Sequence, residues 1–195
     1  MFRIVLVRPG ATSLDEQRRI KGSLDIPLSP IGSDQAKKLA DDLAGMQFDV
    51  VYSAPCESAV QTARMLAERS KSKVRVVDAL RNLDHGLWQG KLIDEVRKHQ
   101  PKVYRQFQDD PESICPPGGE TVEQAKQRVR KTLNRWIHKH DASIVAIVVP
   151  EPLASIIKEM LGCDEIGDLW QAECDRGQWE IVQGDPHVLD TQAAT

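Results

Sequence analysis

No apolar run in this 195-residue chain approaches the ~20 residues that a bilayer-spanning helix requires. The N-terminus, MFRIVLVRPG, is too short and polar for a signal peptide and reads as a strand. Charge of one sign is not in excess. Lys+Arg number 26 and Asp+Glu 29, giving a formal charge of −3 and a pI near 6.0. That balance argues against a nucleic-acid or anionic-membrane surface built on bulk electrostatics. Cysteine is scarce, and Cys56, Cys115, Cys163 and Cys174 lack CxxC spacing. Reduced thiols and a cytoplasmic setting are therefore expected rather than a disulfide framework. Internal repeats, low-complexity tracts and linkers are also missing. What is present, 41% apolar and 28% charged residues, suits a folded core. The length suits one domain.

Residues 2–7 form a near-continuous apolar run, which predicts a strand covered on both faces. Residues 9–28 show no period and read as a loop. Ser29 is a good N-cap with Pro30 in the first turn, opening a helix whose face is predicted at Ile31, Ala36, Leu39 and Leu43, with Gly45 as its stop. Residues 48–52 predict a second strand, 57–68 a helix, and 73–77 a third strand. Residues 92–108 predict helix interrupted near Pro101. Thr121-Val122-Glu123-Gln124 resembles a capping box. It starts an amphipathic helix with Val122, Ala125, Val129, Leu133, Trp136 and Ile137 on one face. Residues 143–149 form the strongest strand pattern, followed by a helix over 153–161 and a last strand over 179–182. The tail after Asp185 is expected to be loose.

Strands alternating with helices predict an α/β fold, a three-layer α/β/α sandwich with a mostly parallel central sheet. Ligand sites in such sheets lie beyond the C-terminal strand ends. Attention therefore falls on Val7-Arg8-Pro9-Gly10 and on Val149-Pro150-Glu151-Pro152.

The first of these, in Leu6-Val7-Arg8-Pro9-Gly10-Ala11-Thr12, resembles the Leu-Val-Arg-His-Gly-Glu-Thr signature of the histidine phosphatase superfamily (phosphoglycerate mutase-like) at five of seven positions. Residues 19–29 (Arg19-Ile20-Lys21-Gly22 through Asp25-Ile26-Pro27-Leu28-Ser29) are similar to the family's Arg-x-Gln-Gly-x-x-Asp-x-Pro-Leu-Thr loop. Tyr52-Ser53 with Gln61-Thr62-Ala63, Leu80-Arg81 through Gly86-Leu87-Trp88-Gln89-Gly90, and Pro117-Gly118-Gly119-Glu120-Thr121 resemble further motifs in order. The strand over 145–149 sits where the family has Val-Val-Ser-His-Gly. The resemblance covers roughly residues 3–183. It implies a single domain over residues 1–184, with residues about 85–120 as a helical cap over the site and 185–195 as a flexible tail.

The resemblance also implies a chemistry: an imidazole after the first strand attacks phosphorus, a second His and two Arg hold the transferring oxygens, and a Glu or Asp protonates the leaving group. These roles need an activated lone pair, fixed positive donors and a transferable proton. At the matching positions this chain has Pro9 for the nucleophile, Glu151 for the second His, Ser58 for the second Arg and Asn82 for the acid. Only Arg8 is retained. Proline has no side-chain heteroatom and no backbone N–H. An ionised Glu151 opposes a phosphate, since like charges about 4 Å apart repel by roughly 4 kcal/mol at an effective dielectric near 20. An Arg8–Glu151 ion pair filling the vacated site is expected.

The resemblance thus points to a degenerate member of the family, a non-enzymatic pseudophosphatase binding a ligand or partner. The alternative is a phosphoryl hydrolase or mutase with weak or non-standard activity on a small phosphate ester; an enzyme of another reaction type in the same pocket is a third reading. Candidate ligand-binding residues are Arg8, Thr12, Arg19, Gly22, Glu120 and Glu151. Arg8 is either a structural ion-pair partner or a residual anion site. Pro9 and the Pro150-Glu151-Pro152 run either are drift in a disused site or shape a new one. Glu151 as a replacement nucleophile lacks an activating partner. Cys56 is either a reactive thiol or a buried small apolar residue. An Asp84-His85 dyad is disfavoured, and His138 and His140, two apart, read as solvated charges near a helix end rather than a metal site. The Lys and Arg over 126–139 read as an outer helix face. No cofactor and no metal are expected. The partner is a small anionic ligand or a protein, not nucleic acid or membrane, with a homo-oligomer left open.

Overall fold

Strands with apolar residues at consecutive positions need cover on both faces, and the two runs that show this most strongly lie side by side at the centre of the sheet. The computed structural model describes residues 3–140, 143–172 and 176–183. Its strands are β1 (Arg3–Val7), β2 (Val50–Ser53), β3 (Val74–Val76), β4 (Ile144–Val148) and β5 (Trp179–Gln183). They are ordered β3-β2-β4-β1-β5. The first four run parallel, and β5 pairs antiparallel with β1. Ile4–Val7 and Val145–Val148 are fully buried.

The helices are α1 (Ser13–Glu16), α2 (Pro30–Asp42), α3 (Glu57–Ser70), α4 (Ile93–His99), α5 (Pro101–Asp109), α6 (Val122–Lys139), α7 (Leu153–Met160) and α8 (Leu169–Ala172). The connections β1→β2→β3 move one way along the sheet, and β3→β4 returns. Right-handed crossovers then place α2 and α3 on one face and α6 on the other. Accordingly α2 packs on α3, and α6 packs on α7. The α/β fold with a mostly parallel central sheet is thus observed.

Local signals act as the sequence suggests at several points. Ser29 Oγ accepts from Gly32 N–H at 3.0 Å. At α6, Thr121 and Gln124 exchange side-chain-to-backbone bonds of 3.1 and 2.8 Å. The whole predicted α6 face is buried. The 92–108 helix does break at Pro101, into α4 and α5.

Other expectations are corrected. Ile31 is 59% exposed, and the buried face of α2 instead runs through Gly32, Ala36, Leu39 and Ala40. The reason is a backbone-to-backbone approach: a Cβ on Gly32 would lie 1.9 Å from Ala11 O, and one on Gly10 2.0 Å from Gly32 O. The supposed loop 9–28 contains α1, capped reciprocally by Thr12 and Asp15. His140 is not a solvated charge. It is buried, with Nδ1 2.5 Å from Asp49 Oδ2 and Nε2 2.9 Å from Tyr52 Oη. Lys126 lies on no open face: it is buried between Glu112 and Glu159. In keeping with the disfavoured Asp84-His85 dyad, His85 packs as a core ring against Phe107 and Trp170, and Asp84 Oδ1 accepts from Gly86 N–H. The side chain of His138, Cys174 and the tail after Asp185 lie outside the described residues. Among the described residues, no helix is long and apolar enough to cross a membrane.

Candidate functional site

Chain connections leave β1 and β4 in opposite directions along the sheet, so the crevice between their C-terminal ends is where a parallel sheet opens to a ligand. Val7 lies opposite Val148 in the register. The next residues of the two strands, Arg8 to Gly10 and Val149 to Glu151, therefore face one another. Arg8 N–H donates to Gln178 O (2.8 Å), and Val149 N–H donates to Val7 O (3.0 Å).

Two carboxylates grip Arg8. Its Nε donates to Glu151 Oε1 at 2.5 Å and its Nη1 to Glu180 Oε1 at 2.7 Å. Glu151 Oε2 accepts from Ser155 N–H at 3.1 Å, in the first turn of α7. Glu180 Oε2 in turn meets Lys158 Nζ at 3.0 Å. Lys158, Glu180, Arg8 and Glu151 thus form a chain of alternating charge running inward from the rim. Burial pushes the Glu151 carboxyl above the usual carboxylate range, and the opposing pull of Arg8 and Ser155 does not cancel it. Burial would lower the Arg8 guanidinium, but its two carboxylates outweigh this and raise it. Burial also acts to raise Glu180, yet Arg8 and Lys158 bring it below its ordinary value.

Asn82 staples the floor. Its Nδ2 donates to Gly22 O (3.0 Å) and Glu151 O (2.7 Å), and its Oδ1 accepts from Leu153 N–H (3.2 Å). Both N–H donors and the carbonyl oxygen of this buried amide are engaged, and none transfers a proton. Pro9 is buried, and its carbonyl accepts from Gly177 N–H at 2.9 Å. Ser58 is fully buried. Its carbonyl accepts from Thr62 Oγ1 (2.9 Å), which accepts from Gly10 N–H (3.4 Å).

A second ionic knot lies nearby. Asp15 Oδ1 meets Lys21 Nζ at 3.2 Å and Arg176 Nε at 3.0 Å, while Oδ2 accepts from Thr12 N–H and Thr12 Oγ1. Burial would raise Asp15, but these two cations and Thr12 bring it below the usual range. Beside Asn82 opens a cavity of about 390 Å³, its wall including Gly22, Asp25, Cys56, Asp78, Arg81 and Asp84. Its charged lining is mostly acidic, the opposite of a phosphate cradle. Among the described residues, no group of three or more His, Cys, Asp or Glu could hold a metal ion.

The structure therefore brings Arg8, Glu151, Asn82 and Gly22 together and confirms the expected ion pair. The other candidates are engaged elsewhere. The Thr12 hydroxyl is spent on Asp15. Arg19 Nη1 donates to Gly90 O at 2.6 Å. Glu120 Oε1 lies 2.5 Å from Arg128 Nη2. Sequence reasoning missed Glu180, Lys158, Asp15 and Arg176. A charged residue inside the apolar alternation of residues 179–182 was the one available sign of Glu180.

The family model of the histidine phosphatase superfamily (branch 1) matches residues 4–192. Phosphoserine phosphatase 1 of Hydrogenobacter thermophilus is 30% identical over 183 residues, covering 93% of this chain and 86% of that protein. Adenosylcobalamin/alpha-ribazole phosphatase of Escherichia coli is 24% identical over 182 residues, covering 93% and 89%. Among solved structures, the mycobacterial glucosyl-3-phosphoglycerate phosphatase complexed with VO3 superposes with a TM-score of 0.80 at 24% identity, covering 92% of this chain and 91% of that one.

Proposed function

This chain belongs to the histidine phosphatase superfamily, branch 1, and from that premise we propose that it keeps the family scaffold without phosphohistidine chemistry, acting as a pseudophosphatase that binds a ligand or partner. The observation that carries this reading is the Arg8–Glu151 contact of 2.5 Å. Arg8 matches the family's phosphate-holding arginine, and its Nε is taken by the protein's own carboxylate. Where the family resemblance puts the attacking imidazole stands Pro9, whose side chain has no lone pair to offer. Where it puts the proton donor stands Asn82, whose amide is committed to three partners.

The second reading is a phosphatase of weak or non-standard activity on a small phosphate ester, and the relatives favour it. Those cited above carry the names of phosphatases acting on phosphoserine, alpha-ribazole and glucosyl-3-phosphoglycerate. This reading needs another group to take the role of position 9, and the carboxylates placed there repel the substrate.

Turnover of p-nitrophenyl phosphate separates the two. Wild-type protein is expected to release p-nitrophenol no faster than Arg8→Ala. Hydrolysis that Arg8→Ala abolishes would establish the phosphatase instead. Restoring Pro9→His, Glu151→His, Ser58→Arg and Asn82→Glu together should return partial activity at best, since catalytic groups acting as a unit are strongly non-additive.

A further inference from the structure

Residues 17–22 run from the end of α1 to Gly22 in the family pocket and lie against the start of α4. Ile93 N–H donates to Arg18 O at 3.2 Å, and Arg19 forms an isolated antiparallel bridge with Leu92. This pairing sets Arg18 and Asp94 beside a cavity of about 290 Å³ whose apolar wall is Leu92, Ile93, Tyr104 and Trp170. Neither Arg8, Asn82 nor Glu151 lines it. Ligand cavities run from ~300 to ~1,000 Å³, so this one suits a compact occupant.

Arg18 and Asp94 are opposite in charge and exposed, and a backbone bond holds their segments together, yet they do not pair. Among the described residues, neither side chain has a hydrogen-bond or ion-pair partner. Arg18 stands in the left-handed region, at φ 55°, where α1 ends. The other polar groups at the cavity are engaged. Asp168 Oδ2 accepts from Gln108 Nε2 at 2.6 Å, and its Oδ1 accepts from Trp170 N–H at 2.9 Å. Tyr104 stacks on Trp170 with centroids 5.1 Å apart and carries Arg97 over its ring at 5.9 Å. A ligand cation therefore finds no open ring face there. What remains is one guanidinium, one carboxylate and an apolar wall. A lone anion would be repelled by Asp94 and a lone cation by Arg18. A ligand with both charges satisfies both, its carboxylate on the guanidinium fork and its ammonium on the aspartate.

We propose that this cavity binds a small apolar zwitterion of the α-amino acid class, with its carboxylate on Arg18, its ammonium on Asp94 and its side chain against Leu92, Ile93 and Tyr104. The site is separate from the family pocket, and it stands whether that pocket is silent or hydrolytic.

The test measures binding to the wild-type chain by saturation-transfer difference NMR and by thermal unfolding, with L-leucine, L-methionine and L-phenylalanine as probes. Each is compared with its two single-charge analogues, one lacking the ammonium and one lacking the carboxylate (4-methylpentanoate and 3-methylbutylamine for leucine). At least one amino acid should bind with a Kd of about 1 mM and, at 10 mM, raise Tm by about 3 °C. Its analogues should bind about fivefold more weakly, the upper range for an exposed charge pair. Arg18→Asn, which keeps the left-handed turn accessible, and Asp94→Asn should each weaken the amino acid by a similar factor. Arg18→Asn should not weaken the amine analogue, and Asp94→Asn should not weaken the carboxylate analogue. Failure of all three amino acids to bind below about 10 mM overturns the proposal. So does an analogue that matches its amino acid, or an amino acid that both variants bind as tightly as wild type does. The analogue comparison needs no variant, so it decides the matter even where a substitution disturbs the turn. Hydrolysis of p-nitrophenyl phosphate bears on the family pocket alone and leaves this inference untouched.

Discussion

Asn82 shows how one residue can be read from the sequence and yet change meaning in three dimensions. The resemblance to the family implies an amide where a proton donor would stand. The fold makes it a staple that joins three segments, through Gly22 O, Glu151 O and Leu153 N–H. Truncation removes three hydrogen bonds and leaves two carbonyls and one N–H buried without them. Asn82→Ala is therefore expected to destabilise the protein by about 2–4 kcal/mol, read as a fall in the urea midpoint at unchanged m-value. A drop below 1 kcal/mol would mean that water replaces the amide and that the staple is not structural. Glu151 behaves similarly. Its charge was legible, and so was its pairing with Arg8, because the resemblance aligned both with one pocket. Glu180 was not, since no motif points to it.

Helix ends and faces were largely legible, because capping and periodicity are local. Ser29 and Thr121 cap the helices that follow them. The apolar face of α6 is written at 3.6-residue spacing. Thr121→Ala should cost about 1 kcal/mol, measured by chemical denaturation, and should leave the α6 face packed. The exception is α2, where periodicity nominated Ile31 and the fold chose Gly32. Sequence pattern ranks positions by apolarity. Packing here ranks them by how closely backbone can approach backbone, and only a residue without Cβ passes. The four-residue α1 was missed because it spans barely one turn, too short for a period to develop, and its capping box was hidden inside a stretch read as a loop.

Across the whole molecule, ion pairs tie together segments far apart in the chain: Arg8 and Glu151 are 143 residues apart. Asp15 binds Lys21 and Arg176, uniting the N-terminal loop with the residues before β5. Its carboxyl is depressed in the folded state. The unfolded chain therefore takes up the proton first as pH falls. The stability due to Asp15 is complete above the ordinary aspartate value of about 4 and is lost as pH drops through the lower folded value. Glu151, raised by burial, has the opposite sign: its contribution is greatest below the ordinary glutamate value and declines as pH rises through the folded one. Asp15→Asn should lower stability at pH 7 and flatten the loss between pH 4 and 2, as followed by circular dichroism in urea. An acid limb unchanged from wild type would remove Asp15 as its cause.

The sequence by itself determined the alternation of strands and helices, the caps, the sheet class and the chemical nature of positions 9, 58, 82 and 151. These depend on side-chain type and on spacing within a few residues, which the chain states directly. Only the tertiary structure decided that Arg8 has two carboxylates, that Lys158 extends them to the rim, that Asp15 anchors Arg176 and that His140 is buried on Tyr52 and Asp49. Partner choice between charged groups follows from which strand ends the topology sets side by side. A charge far along the chain carries no local mark of the one it will meet.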